Sequence, residues 1–181
     1  MNAKTIRVAF TAVVAALAAV VMTMAGVIPV ATVSLPAIAG LLAIPVVYEC
    51  GVRWGFGLYA VVSVLSFLFT ADREAALLYI VFFGYYPVLF ALLGRMRVRW
   101  QRVLAKVVLF NIAMALETLA ALFVLGIPQE ALFIGGQWGI ALMVLLLNLL
   151  LLLYDYTIPG LIFWYGKVIH PSVSRLFRYG K

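Results

Sequence analysis

The chain has 181 residues, of which 67% are hydrophobic and only 10% charged, and its mean hydropathy is +1.20. Such a composition cannot be arranged as an apolar core inside a solvated shell, so a soluble globular protein is excluded and a membrane-embedded one is expected. The net charge of +7 does not point to nucleic acid, because the basic residues stand at the ends of apolar runs rather than interleaved with aromatics along a surface; anionic membrane lipid is the expected counter-charge.

Lys4 and Arg7 precede an apolar run from Val8 to about Ile28. At ~1.5 Å per residue this run is long enough to cross a bilayer, and it exceeds the hydrophobic region of a cleaved signal, so it is expected to stay as the first span. Along it Ala12, Ala16, Ala19, Thr23 and Gly26 recur at steps of four and three, which gathers small residues on one face and lets another helix come close. That face serves either packing within the bundle or the docking of a partner. Pro29 and Pro36 bracket an uncharged link that reads as a short outer loop. The second run, 36–48, is short and contains Pro45. It is expected to cross nonetheless, since otherwise the later basic loop would fall on the opposite side from Lys4 and Arg7.

Glu49-Cys50-Gly51-Val52-Arg53 forms an inner turn in which Glu49 and Arg53 are a candidate pair, and a third span follows over 54–69. Gly51, Gly55 and Gly57 near its start mark close backbone approach. Asp72, Arg73 and Glu74 form an outer turn before the fourth span, 75–93, which carries Tyr79, Tyr85 and Tyr86 and is predicted to bend where Gly84 and Pro87 fall. The segment Arg95 to Lys106 then places five basic residues and no acid between two apolar runs. Lys and Arg beside a span resist translocation, so this segment sets the orientation of everything around it. The fifth span, 103–125, holds Asn111 and Glu117; the link 126–137 reads as a loop with a short amphipathic piece around 129–134; the sixth span, 138–165, holds Asn148 and Asp155.

The expected fold is therefore all-α: a polytopic protein of the cell membrane, one membrane domain over 1–181, with six transmembrane helices and both termini cytoplasmic. This arrangement puts twelve of the thirteen basic residues on the cytoplasmic face and leaves only Arg73 outside.

Chemistry is sparse. One cysteine and one histidine leave no disulfide and no metal-ligand cluster, and there is no HExxH, GxSxG, paired-carboxylate or Walker motif, so neither an enzyme nor a cofactor is expected. A carboxylate within apolar spans is costly and usually faces a partner or a cavity, which singles out Glu117. Counted from the expected outer ends of their spans, Glu117, Asn148, Tyr85 and Tyr86 all fall ~13 to 17 Å deep at ~1.5 Å per residue and could converge on a small-molecule substrate. Alternatively, Glu117 and Asn148 simply pin two helices together. Tyr79 is a pocket wall or an interfacial belt residue, and Gln137 with Trp138 is a lid or a belt.

The alanine-rich first helix, the uncharged proline-bearing loop, the short second helix running through Thr32-Val33-Ser34-Leu35-Pro36-Ala37 into Glu49-Cys50-Gly51, and the glycine-marked third helix together resemble the substrate-binding S components of energy-coupling-factor (ECF) transporters. The resemblance implies a six-helix protein that captures a vitamin or related micronutrient from the outer side, with a pocket among helices four to six and the first outer loop. It further implies that Ala12, Ala16 and Ala19 dock on a transmembrane coupling subunit driven by two ATPase subunits. The alternative is a non-catalytic structural membrane subunit of a cell-envelope or cell-shape complex, which needs no pocket.

Overall fold

The computed structural model describes residues 2–28, 31–123, 126 and 136–178, and among them every regular element is helical. Five helices are long and apolar enough to cross a membrane: Lys4–Ala25, Val52–Phe69, Arg73–Leu93, Arg99–Ala120 and Val144–Arg175. A shorter apolar run, Ser34–Cys50, lies between the first two.

Helix α1 (Ala3–Ala25) packs on α2 (Ser34–Leu41) and α4 (Val52–Phe69). The Ser34–Cys50 run is broken at Leu42 into α2 and α3 (Ala43–Cys50). Pro45 accounts for the break, because it has no N–H to offer the Leu41 carbonyl and its ring crowds that turn. One face of the broken helix is packed in protein: Ala39, Ala43 and Val46 are 0% exposed and belong to one cluster with Ala18, Met22, Leu58, Val62, Tyr79 and Val88. Gly51 joins α3 to α4 at φ +94°, a backbone conformation open to glycine and strained for other residues.

At the opposite end, Asp72 caps α5 (Arg73–Leu78) through its Oδ1, 3.0 Å from the Ala75 N–H, and its Oδ2 accepts from Thr32 Oγ1 at 2.8 Å. Beyond α5 the chain passes through a π-helical turn, Tyr79–Phe83, closed by the Gly84 N–H on the Tyr79 carbonyl at 2.8 Å, before α6 (Tyr86–Leu93). The expected bend thus takes the form of a π turn just ahead of Pro87. Pro87 cannot donate to the Phe83 carbonyl, and that oxygen is turned toward Gly40 of α2, where any Cβ would overlap it. Absence of a side chain at Gly40 is what lets the second and fourth helices touch.

Helix α7 (Arg99–Phe123) starts inside the basic segment, which shortens the expected loop; Arg, Gln and Lys are good helix formers whose stems lie along apolar surface. Helix α8 (Gly136–Trp164) continues through a second π turn (Tyr165–Ile169) into α9 (His170–Arg178) and so runs well past the expected end at 165. The piece expected at 129–134 lies outside the described residues.

Two sets of contacts define the ends of the bundle. Gly26 abuts Ala71, and Thr32 bonds Asp72, at one end. At the other, which carries Arg7, Arg53, the 95–106 segment and α9, Glu49 Oε1 sits 2.7 Å from His170 Nδ1 and accepts from Tyr165 Oη at 3.0 Å. Glu49 is therefore bound by the last helix rather than by Arg53.

Candidate functional site

Of the five membrane-length helices, Arg73–Leu93 is the most enclosed, with 44% of its apolar stretch buried, against 11% for Arg99–Ala120. Between them and α8 lies a cleft walled by Leu78, Phe82, Phe110, Met114 and Leu147, with Glu117 as its one carboxylate; Val33, next to the Thr32 that bonds Asp72, places it nearer the Asp72 end. Phe82 meets Phe83 and Phe110 edge to face, both at a centroid distance of 4.8 Å, so the wall is a fixed aromatic cluster. Glu117 is half-buried and has no hydrogen-bond or ion-pair partner among the described residues. The cleft is narrow, at ≈ 50 Å³.

The residues expected beside Glu117 are placed elsewhere. Asn148 Oδ1 accepts from Asn111 Nδ2 at 3.3 Å, and Tyr86 Oη donates to Asp155 Oδ1 at 2.7 Å. Asp155 is also held by Lys106 Nζ at 2.6 and 2.9 Å, and the ammonium lies 4.1 Å from the centre of the Phe90 ring. The Asn111–Asn148 hydrogen bond sets the level: Asn148 stands beside Asn111, and Glu117 lies six residues further along α7. The antiparallel pair α7 and α8 therefore brings Asn148 level with Asn111, and residues near Leu142 level with Glu117. Neither convergence of Glu117 with Asn148 and Tyr86 nor a Glu117–Asn148 helix pin is found.

Tyr79 is fully buried in the central cluster with its hydroxyl unpartnered among the described residues, which removes it from any interfacial belt. Tyr85 is half-buried, edge to face with Tyr59 at 5.9 Å, and Tyr59 Oη donates to the Ile80 carbonyl at 2.8 Å, within the π turn. Gln137 and Trp138 lie in the first turn of α8, and their side chains are outside the described residues. Three phenylalanines of the cleft, Phe82, Phe83 and Phe110, were not singled out in the sequence, because aromatic residues in apolar runs carry no mark that separates a wall from ordinary packing.

On α1 the packed face is Thr11, Ala15, Ala18, Met22 and Ala25, all at most 9% exposed. Ala12 and Ala16 are exposed and Ala19 is half-buried, so this second row of small residues faces away from the bundle.

Compared with family models, curated proteins and solved structures, the chain matches none.

Proposed function

We propose that the chain is the substrate-capture subunit of an ECF-type importer for a vitamin or related micronutrient: a six-span protein with both termini in the cytoplasm that receives its ligand in the Glu117 cleft from the outer side. The observation that carries this role is Glu117, a half-buried carboxylate without a partner among the described residues, in an aromatic-walled cleft nearest the end that has Arg73 as its sole described basic residue. Structural carboxylates inside apolar spans are normally paired, as Asp155 is here, whereas an unpaired one at a cavity awaits a ligand group. The exposed Ala12 and Ala16, with half-buried Ala19 in line with them, support the second half of the role, since they offer close helix approach to another chain.

One observation favours the structural-subunit alternative. At ≈ 50 Å³ the cleft is smaller than the ~300–1,000 Å³ of typical ligand sites. Native mass spectrometry of freshly purified protein separates the two. A co-purifying small molecule is expected with the wild type and should be lost in Met114→Trp, which fills the cleft from a half-buried wall position. If neither preparation carries a bound mass and no ligand raises the melting temperature, the structural role stands instead.

A further inference from the structure

We propose that the Glu117 cleft selects an organic cation, an apolar ring bearing a protonated amine, and turns away anionic ligands. This rests on the capture role argued above and narrows it to a substrate class. Three observations carry it.

The first is the carboxylate itself. Burying an ionised carboxylate among Leu78, Phe82, Phe110 and Met114 is costly unless a positive or N–H-donating group meets it, and no described residue does so. An incoming ammonium supplies that group, while the ring edges and faces of Phe82 and Phe110 accommodate both its charge and an attached aromatic ring.

The second is the lack of any counter-charge for an anion. Arg73, the one basic residue described at this end of the bundle, donates to the Phe67 carbonyl and lies 5.6 Å from the centre of the Phe67 ring, so it is held on the end of α4, and Phe67 is no part of the cleft. Asp72 and Glu74 stand at the same end outside the cleft and add negative charge there. A carboxylate- or phosphate-bearing ligand would meet Glu117 in the cleft and no free base among the described residues.

The third concerns room. The cleft must widen to take a ring, and α7, which forms one wall, is the least buried crossing at 11%. Shifting it gives up little packed surface, whereas the opposite wall belongs to the most enclosed crossing and stays fixed. Widening the cleft therefore moves Glu117 along with α7.

A matched pair of probes tests the charge preference: tryptamine, a cation, and indole-3-acetate, an anion of similar size, each titrated at pH 7 against purified protein with thermal unfolding as the readout. Tryptamine is expected to raise the melting temperature with saturable dose dependence and indole-3-acetate to leave it unchanged. Glu117→Gln is expected to weaken the tryptamine dissociation constant ten- to a hundredfold, as loss of a charged hydrogen bond does. Equal or stronger stabilisation by indole-3-acetate, or unaltered tryptamine affinity in Glu117→Gln, overturns the cation preference and leaves the capture role standing. If neither probe binds while native mass spectrometry finds a co-purified molecule, the substrate class is again overturned and capture stands; if neither probe binds and no molecule co-purifies, both fall.

Discussion

Asp155 and Glu117 show how differently two carboxylates can be housed in the same bundle. Asp155 is met by Lys106 and Tyr86, and its side chain and that of Lys106 are 28% and 12% exposed. Removing one partner strands the other charge in a poorly solvated place, a change that costs about 3–5 kcal/mol for fully buried pairs and less here, where water still reaches Asp155. Asp155→Asn is accordingly expected to lower unfolding stability by about 2–3 kcal/mol. Replacing both partners with apolar residues of similar volume, Lys106→Met with Asp155→Leu, should recover most of that loss, because no unpaired charge remains. Chemical unfolding in detergent measures both variants, and a single variant as stable as the wild type would show that the pair contributes nothing. The sequence marked the polar residues involved, but it misjudged the depths of Asn148 and Tyr86. Asn148 and Tyr86 were levelled with Glu117 because each depth was counted from an expected span end, and an error of two or three residues at an end moves a side chain by nearly a helical turn.

Helix α1 gives the lesson at the next scale. Its small residues at 12, 16 and 19 were legible as a face, but Ala15, Ala18 and Ala25 make an equally good one a residue away, and the bundle buries the latter. Periodicity fixes the angle between residues on a helix and says nothing of which neighbour sits where when alanine occurs on every side. Two substitutions separate the faces. Ala16→Trp points away from the bundle and is expected to leave the melting temperature within a few degrees of wild type while abolishing pull-down of the coupling subunit. Ala18, 0% exposed, has no space for an indole, so Ala18→Trp should cost at least about 1–3 kcal/mol and prevent accumulation of folded protein. A partner retained by Ala16→Trp would assign that face to lipid. The bend in the fourth crossing, by contrast, was readable from Gly84 and Pro87, since proline and glycine act on their own turn. The clasp of Glu49 by Tyr165 and His170 was not, because it joins positions 116 and 121 residues apart that only the closed bundle brings together.

For the whole molecule, the open question is whether Ser34–Cys50 crosses the membrane. Its length, ~25 Å at ~1.5 Å per residue, falls short of the ~30 Å hydrocarbon core, and its backbone is broken at Leu42. Lipid would not tolerate such a break on every side; here protein packs one face, where Pro36, Ala39, Gly40, Ala43 and Val46 are buried, and Leu41, Leu42 and Pro45 at the break are half-buried. The first and third crossings both pack against the run, and it joins the Asp72 end of the bundle to the Glu49 end, as a crossing element must. Parity turns this into a measurement. With the run counted, four crossings separate Lys4 from Arg99 and both lie on the cytoplasmic side; without it there are three, and they lie on opposite sides. Reporters active only in the cytoplasm, placed before Lys4, inserted at Arg99 and fused after Lys181, are all expected to be active, and one inserted at Glu130 to be silent. Activity at Glu130, or opposite signals at Lys4 and Arg99, would remove Ser34–Cys50 from the crossings. The Glu117 cleft would then have no fixed outer mouth, since the parity of crossings is what assigns the Asp72 end to the outside.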